Sequence, residues 1–435
     1  MRAYLTLLRE NSDFTRLWIA QIISLLGDWF NTIALSALVV AYNPENPGLA
    51  VSALLLCRYL PPMLLGPFVG VLLDRFDRKS LLVWSNLLRV VVVLGFLLAT
   101  TGREWLWLIY VLSVAQFVLS SVFEPGQQAL IPSLVKREDL VIANTLANVT
   151  WSVMLAAGAA VGGIFAAIFG TNAALVFDAL TFLAAGLLIW GMKLHTVPTT
   201  PKSETHTPHE KVTIAQGVRY LRQQPSLLAA MLVKFGGSLG NIDTLMTLFA
   251  TQLFIVGDRG TLSLGIMYSV FGLGALTGPL ILNRLNDGST KQMRRLIWIG
   301  FILIAFGWVG LGIAGLPSIS LWVGIVIVCI GLAVRAMGGS ANWTYSSIIL
   351  QKDSDDAFLG RMSSLDYTLF YVATVITTIG HGALIDYAGI ENIPFVAALT
   401  FTIAIGIWLI WWRWIVRLER REGTIVGDQR VGITV

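Results

Sequence analysis

The residues of this sequence that could do chemistry are ionisable groups set inside, or at the ends of, long apolar runs. The acids there are Asp28, Glu124, Asp178, Asp243, Asp366 and Asp386, and the bases are Arg58, Arg89, Lys234 and Arg335. A charge at the centre of a bilayer costs at least about 2.5–3.5 kcal/mol, so each should face protein or a water-filled cavity, and such groups mark proton or substrate paths. Asp28, Arg58, Glu124, Asp178 and Asp243 are therefore the candidates for proton or substrate coupling. By helical rise, Asp28 lies about 18 Å into the first apolar run, and Arg58 about 13 Å into the second from the opposite side. On consecutive antiparallel helices those depths meet near mid-membrane. An Asp28–Arg58 pair is expected, with Asp28 the first choice for the protonatable group and a static pair that only fixes packing as the structural alternative.

Polar residues at helical spacing extend the pattern. Gln21, Ser24, Asp28 and Asn31 form one stripe, and Ser113, Gln116, Ser120, Glu124 and Gln127 form another. Lys234, Ser238, Asn241 and Thr244 make a third, and Arg335, Gly339, Asn342 and Ser346 a fourth. One stripe is commonly inter-helix hydrogen bonding. Four of them imply a shared aqueous path, with Gln21, Ser24, Asn31, Gln116, Ser120, Lys234, Ser238, Asn241, Arg335 and Asn342 as cavity lining. Arg89 and Lys234 lie only about 12 Å from one edge, within reach of snorkelling stems.

The elements that must position these groups follow from composition. Of 435 residues, 56% are hydrophobic and 13% charged, about half the usual ~25% charge of a soluble domain. That excludes a soluble globule, a disordered chain and a disulfide scaffold, and leaves an all-α polytopic membrane protein. Twelve runs are long enough to cross about 30 Å of hydrocarbon: 16–41, 49–73, 81–100, 105–123, 141–169, 171–192, 226–255, 262–283, 295–315, 319–340, 361–386 and 393–414. The long polar segment between the sixth and seventh, TVPTTPKSETHTPHEKVT (196–213), reads as a flexible linker, and AQGVRYLRQQ after it as a short surface helix. The expected organisation is a six-helix half (1–192), a cytoplasmic linker (193–225), and a second six-helix half with a cytoplasmic tail (226–435).

With both termini on one side, that side collects 24 of the 30 Lys and Arg residues, and the opposite loops hold Arg103 and Arg259. The positive-inside rule then puts both termini in the cytoplasm. The net charge of +5 is thus a topological signal, and no nucleic-acid partner is expected. Cys57 and Cys329 fall in apolar stretches and read as packing thiols. MRAYLTLLRENSDFTR at the amino terminus lacks the form of a signal peptide. A weak internal repeat pairs SLLGDWFNTIAL (24–35) with SLGNIDTLMTL (238–248), and GPFVGVLLDRFDRK (66–79) with GPLILNRLNDGSTK (278–291). Repeated halves around a midplane site are a transporter plan.

The loop after the second span carries Gly70, Asp74, Arg75, Asp77, Arg78 and Lys79. It resembles the cytoplasmic signature G-x-L-x-D-R-x-G-R-K of the major facilitator superfamily, with Asp77 in place of the second glycine. L-L-G-D-W-F, R-Y-L-P-P, F-E-P-G-Q-Q-A-L-I-P-S-L-V-K-R-E-D-L-x-x-A-N (123–144) and L-G-R-M-S-S (359–364) are similar to the bacterial branch of enterobactin exporters and macrolide-efflux proteins. AGAAVGG (157–163) is similar to the superfamily's antiporter motif without its proline. The resemblance implies twelve helices in two halves, and proton-driven export of bulky amphipathic molecules of drug, macrolide or siderophore class. It also implies a latch in which Asp74, with Gly70, Arg75 and Arg78, docks at the helix start near Gly360 and Arg361. A carboxylate there meets unpaired N–H groups and a positive helix end.

The expected partners are a small-molecule substrate, protons and the lipid bilayer, for a monomer in the bacterial inner membrane. A lipid transporter of the same fold, such as a lysophospholipid flippase, is the alternative. A sensor or scaffold would call for an appended domain that the short tail does not supply. GGSLG (236–240) fits the G-x-S-x-G string but lies in an apolar run, where small residues serve close packing. His206 and His209 stand in the linker without a ligand cluster, so no metal is expected, and no nucleotide motif, cofactor site or catalytic constellation is present.

Overall fold

A computed structural model describes residues 2–193, 224–354 and 356–431 of the chain. The linker expected over 196–213 and the surface helix expected after it, except for its last residue Gln224, lie outside them, as do the side chains of Asp74 and Arg361 and the surroundings of Gly360. Among the described residues there are helices and no strands. In chain order these are α1 (Arg2–Glu10), α2 (Ser12–Tyr42), α3 (Pro47–Arg75), α4 (Arg78–Ala99), α5 (Leu106–Leu130) and α6 (Leu140–Trp190). Then follow α7 (Pro225–Ser238), α8 (Asp243–Leu248), α9 (Thr261–Leu282), α10 (Thr290–Ala314), α11 (Leu321–Asp353), α12 (Asp356–Ala388) and α13 (Ile393–Val431). Ten of the described helical segments are long and apolar enough to cross a membrane.

Two local breaks reconcile ten with twelve. Helix α6 is two spans joined at Gly170, whose φ of 80° lies in the left-handed region that only glycine enters freely. The seventh run, expected as one helix over 226–255, is discontinuous. Helix α7 stops at Ser238, residues 239–242 are non-helical, and α8 resumes at Asp243 and passes into a π-helical turn at Phe249–Leu253. Gly236, Gly237 and Gly240 explain the weak point, since each glycine costs a helix about 1 kcal/mol relative to alanine. The stripe Lys234, Ser238, Asn241, Thr244 is therefore not one continuous helical face.

Contacts divide the chain into two compact units. One comprises Met1–Ser203, Ile242–Gly272 and Thr378–Ile390, the other Glu204–Asn241, Leu273–Thr377 and Glu391–Val435. In the first unit, Leu7, Phe14, Leu17, Leu82, Phe123 and Ile189 belong to one buried cluster. Its helices also meet through small residues: a Cβ added at Gly163 would lie 2.6 Å from the Cα of Gly265. The AGAAVGG segment is thus an interface where α6 and α9 approach backbone to backbone. In the second unit, Leu227, Met231, Leu350 and Met362 form a buried cluster between α7, α11 and α12.

The loops after α3 and α9 end in the same device. Asp77 caps α4, accepting a hydrogen bond from the Ser80 N–H at 2.8 Å. Ser289 caps α10, accepting from the Gln292 N–H at 3.1 Å. The two caps occupy equivalent positions of the repeat, so Asp77 in place of glycine supplies a helix start. Arg78 donates to the Ala129 carbonyl at 2.8 Å and Lys79 to that of Met192 at 2.6 Å. These cations close the carboxyl ends of neighbouring helices, where positive charge is favourable.

Candidate functional site

Within the first unit, α2 brings its polar stripe against α4, α5 and α6. Gln127 donates to Gln21 at 2.7 Å, and Gln21 to the Ala147 carbonyl at 3.3 Å. Arg89 donates to Asn86 at 3.0 Å and to Ser24 at 3.5 Å, and Asn31 donates to the Asp178 carboxylate at 2.9 Å. Gln21, Ser24 and Asn31 are buried, as is Gln116, while Ser120 is half-buried. For Gln21, Ser24 and Asn31 the stripe is a ladder of inter-helix hydrogen bonds, where an open wall was expected, whereas Gln116 is buried with its Oε1 unpartnered. Asp28 keeps partial access, with its side chain 25% exposed.

The ion pair of Asp28 also differs from expectation. Its carboxylate lies 3.9 Å from Arg89 of α4, and Arg58 instead donates to Thr32 at 3.2 Å, one turn further along α2. Depth arithmetic fixed the height of Arg58 but not its angle around the helix. Arg89 does not snorkel: it is fully buried, its guanidinium 4.1 Å from the Phe182 ring centroid and 5.2 Å from that of Phe123. Asp178 is fully buried, and its Oδ1 has no hydrogen-bond partner. Glu124, on the same stripe as Gln116, is exposed.

A second cluster in this unit forms around Asp243 at the first turn of α8. Tyr59 of α3 donates to one carboxylate oxygen and Tyr268 of α9 to the other at 3.3 Å. Trp29 packs on Tyr268 with centroids 5.0 Å apart. Neither tyrosine was a sequence candidate, although R-Y-L-P-P contains Tyr59. Near the far end of α12, Asp386 accepts from the N–H groups of Gly48 and Leu49 at 2.8 and 2.7 Å, capping α3. Ser52 extends the contact by donating to the Thr378 carbonyl at 2.7 Å.

In the second unit, Lys234 of α7 is buried and pairs with Asp366 of α12, each side chain 3% exposed. Asp366 was legible as an acid in a span, but not as this partner, which lies 132 residues away. Arg335 of α11 donates to the Gly240 carbonyl freed by the break after α7. Asn342 is buried against Gly300 with both amide atoms unpartnered, and Ser238 is buried while Asn241 is half-buried. The signature residues Gly70 and Arg75 are exposed, and Arg78 is half-buried in its cap.

Paired charges at mid-helix, a broken helix and repeat-related caps are features of a solute carrier, and comparisons agree. A family model described as Major Facilitator Superfamily matches residues 17–354. The MFS-type transporter YfiS of Bacillus subtilis is 25% identical over 92% of this chain and 93% of its own length. Macrolide efflux protein A of Streptococcus pyogenes is 24% identical over 87% of this chain and 91% of its own. The crystal structure of the nucleoside transporter NupG shares the fold, with a TM-score of 0.69 at 10% identity over 92% of this chain and 98% of that one. The chain is thus a multi-pass membrane protein that belongs to the Major Facilitator Superfamily of small-molecule transporters.

Proposed function

We propose that this transporter exports bulky amphipathic molecules of drug, macrolide or siderophore class in exchange for protons. Two six-helix halves would alternate access to a central site, in the bacterial inner membrane with both termini cytoplasmic. The observation that carries the reading is the acid–base network on α2, α4 and α6. Asp28, partly accessible, stands beside the buried Arg89, and Asp178 holds a carboxylate oxygen without a partner. An ionisable group inside a span is costly to keep there and is by default a candidate for a proton or substrate path. The efflux relative supports the direction of transport.

Asp28 is the proposed protonatable group, with Arg89 taking the modulating place given to Arg58, and Glu124, Asp178 and Asp243 as further coupling residues. Asp243 is held by two tyrosine hydroxyls, which suits a group that senses rearrangement of α3, α8 and α9. The Asp74 latch against the start of α12 stays part of the reading as a conformational switch. The test is uptake of a fluorescent macrolide into everted vesicles under an imposed pH gradient. The wild type should accumulate it and Asp28→Asn should not. Gradient-dependent accumulation retained by Asp28→Asn would remove Asp28 from the coupling role.

A further inference from the structure

The Lys234 ammonium occupies a box whose chemistry would hold any alkylammonium. Besides its pair with Asp366, it lies 4.4 Å from the Trp343 ring centroid and 5.3 Å from that of Tyr367. Phe370 meets Trp343 edge-on, with centroids 5.0 Å apart and planes at 87°, and so orients the indole. A carboxylate with aromatic faces is the constellation that recognises organic cations.

Three observations set this box apart from a structural ion pair. Asp366 Oδ1 is buried without a hydrogen-bond partner, so the carboxylate is under-used. A buried pair of this kind is seldom the most stable choice, because apolar isosteres commonly match or exceed it. The walls of the box also differ: Leu227, Met231, Leu350 and Met362 form a buried cluster toward the Pro225 end, whereas Tyr367 is 49% exposed. Finally, among the described residues the box holds one cation. Among the described residues Lys234 is the charge that bears on Asp366, and Tyr367 is the other titratable group in contact with the ammonium. Among the described residues, Arg294 donates to Ser226 at 2.7 Å, Arg335 to the Gly240 carbonyl and Lys352 to the Gly288 carbonyl at 3.0 Å, Lys291 and Arg295 stand in the first turns of α10, and Arg413 and Arg417 lie on the distal part of α13.

We propose that this box is a subsite for amine-bearing amphiphiles, held shut in the empty protein by the chain's own Lys234. The proposal rests on the exporter reading and names its substrate class. The incoming ammonium takes the Asp366 carboxylate and the two aromatic faces. Two ammonium groups beside one carboxylate repel strongly where water is scarce, so Lys234 leaves as the neutral amine and its proton passes to solvent. One organic cation enters, one proton departs, and the charge of the box is unchanged. Cation and proton are thus exchanged at a single place.

The test is calorimetric titration of the purified full-length protein with benzylamine and, as neutral comparator, benzyl alcohol. Two buffers of different ionisation heat count the protons. The wild type should prefer the amine by about tenfold or more and release a proton on binding it. Lys234→Met should bind benzylamine at least as tightly without proton release, and Asp366→Asn should lose the preference. If either single variant misfolds, the charge-free pair Lys234→Met/Asp366→Asn replaces it and should show no preference. Equal binding of amine and alcohol by the wild type overturns the proposal, as does a preference that survives Asp366→Asn or the charge-free pair. Proton release persisting in Lys234→Met overturns it too. Gradient-driven macrolide uptake reports on the exporter reading separately, so loss of one result with retention of the other identifies which has failed.

Discussion

At the scale of single residues, Arg89 shows how tertiary context assigns a charge its role. It is fully buried on α4, faces Phe123 and Phe182, and serves Ser24, Asn86 and Asp28 together. Removing one member of a buried pair strands the other, and the loss exceeds that of removing both. Arg89→Met should therefore cost about 3 kcal/mol, read as a lowered thermal unfolding temperature in detergent. Arg89→Met/Asp28→Asn should recover much of that loss. If the double variant is no more stable than the single one, the coupling between these residues is absent. The sequence made Asp28 legible, because an acid in an apolar run is conspicuous by composition alone. Its partner was not legible, since the angle of a side chain around its helix depends on how three helices pack.

At the scale of elements, caps and breaks control where helices start, stop and meet. The hydrogen bond from Ser80 holds the Asp77 carboxyl below the ordinary carboxylate range. A carboxyl lowered on folding contributes stability that is present above its unfolded value and lost as pH falls through the folded one. Asp77→Ala should cost about 0.5–2 kcal/mol at neutral pH, and the gap from wild type should close in acid, as thermal unfolding at a series of pH values would reveal. At α3 the capping carboxylate comes from Asp386, far along the chain. Asp386→Ala should weaken that helix start by about 0.3–2 kcal/mol, seen as faster labelling of Leu49→Cys by a membrane-impermeant maleimide. An unchanged labelling rate would mean the cap is not needed to hold the α3 start. The Arg335 bond to the Gly240 carbonyl belongs here as well: it satisfies a backbone acceptor that the break would otherwise leave unpaired. Arg335→Met should cost about 1.5–3 kcal/mol, measured by thermal unfolding, with α7 and α8 the first segments to exchange amide hydrogens.

At the scale of the whole molecule, the distribution of charge between loops predicts the topology. A bias of 24 Lys and Arg residues against two predicts cytoplasmic termini. Alkaline phosphatase fused in the loop at Arg103 should be active outside the cytoplasm, and green fluorescent protein fused after Val435 should fluoresce. The reverse pattern would invert the orientation and place the Asp386 cap of α3 on the cytoplasmic side. The two repeated segments, 66–79 and 278–291, also show how a repeat survives divergence. Asp77 and Ser289 differ as residues but occupy equivalent positions and perform the same capping.

Composition and periodicity by themselves determined that the chain is helical and membrane-spanning, because a bilayer requires long apolar runs, while the loop signature, being local in sequence, carried the resemblance to this superfamily. They also located the acids and bases, since a charge in such a run is costly wherever it stands. Tertiary structure alone decided the pairings: Asp28 with Arg89, Asn31 with Asp178, Asp243 with Tyr59 and Tyr268, and Lys234 with Asp366. It also decided that the seventh span is broken and that Asp386 starts α3. The reason is physical. Burial sets which residues must find partners, while which partner lies within about 3 Å depends on the rotation and tilt of helices distant in the chain.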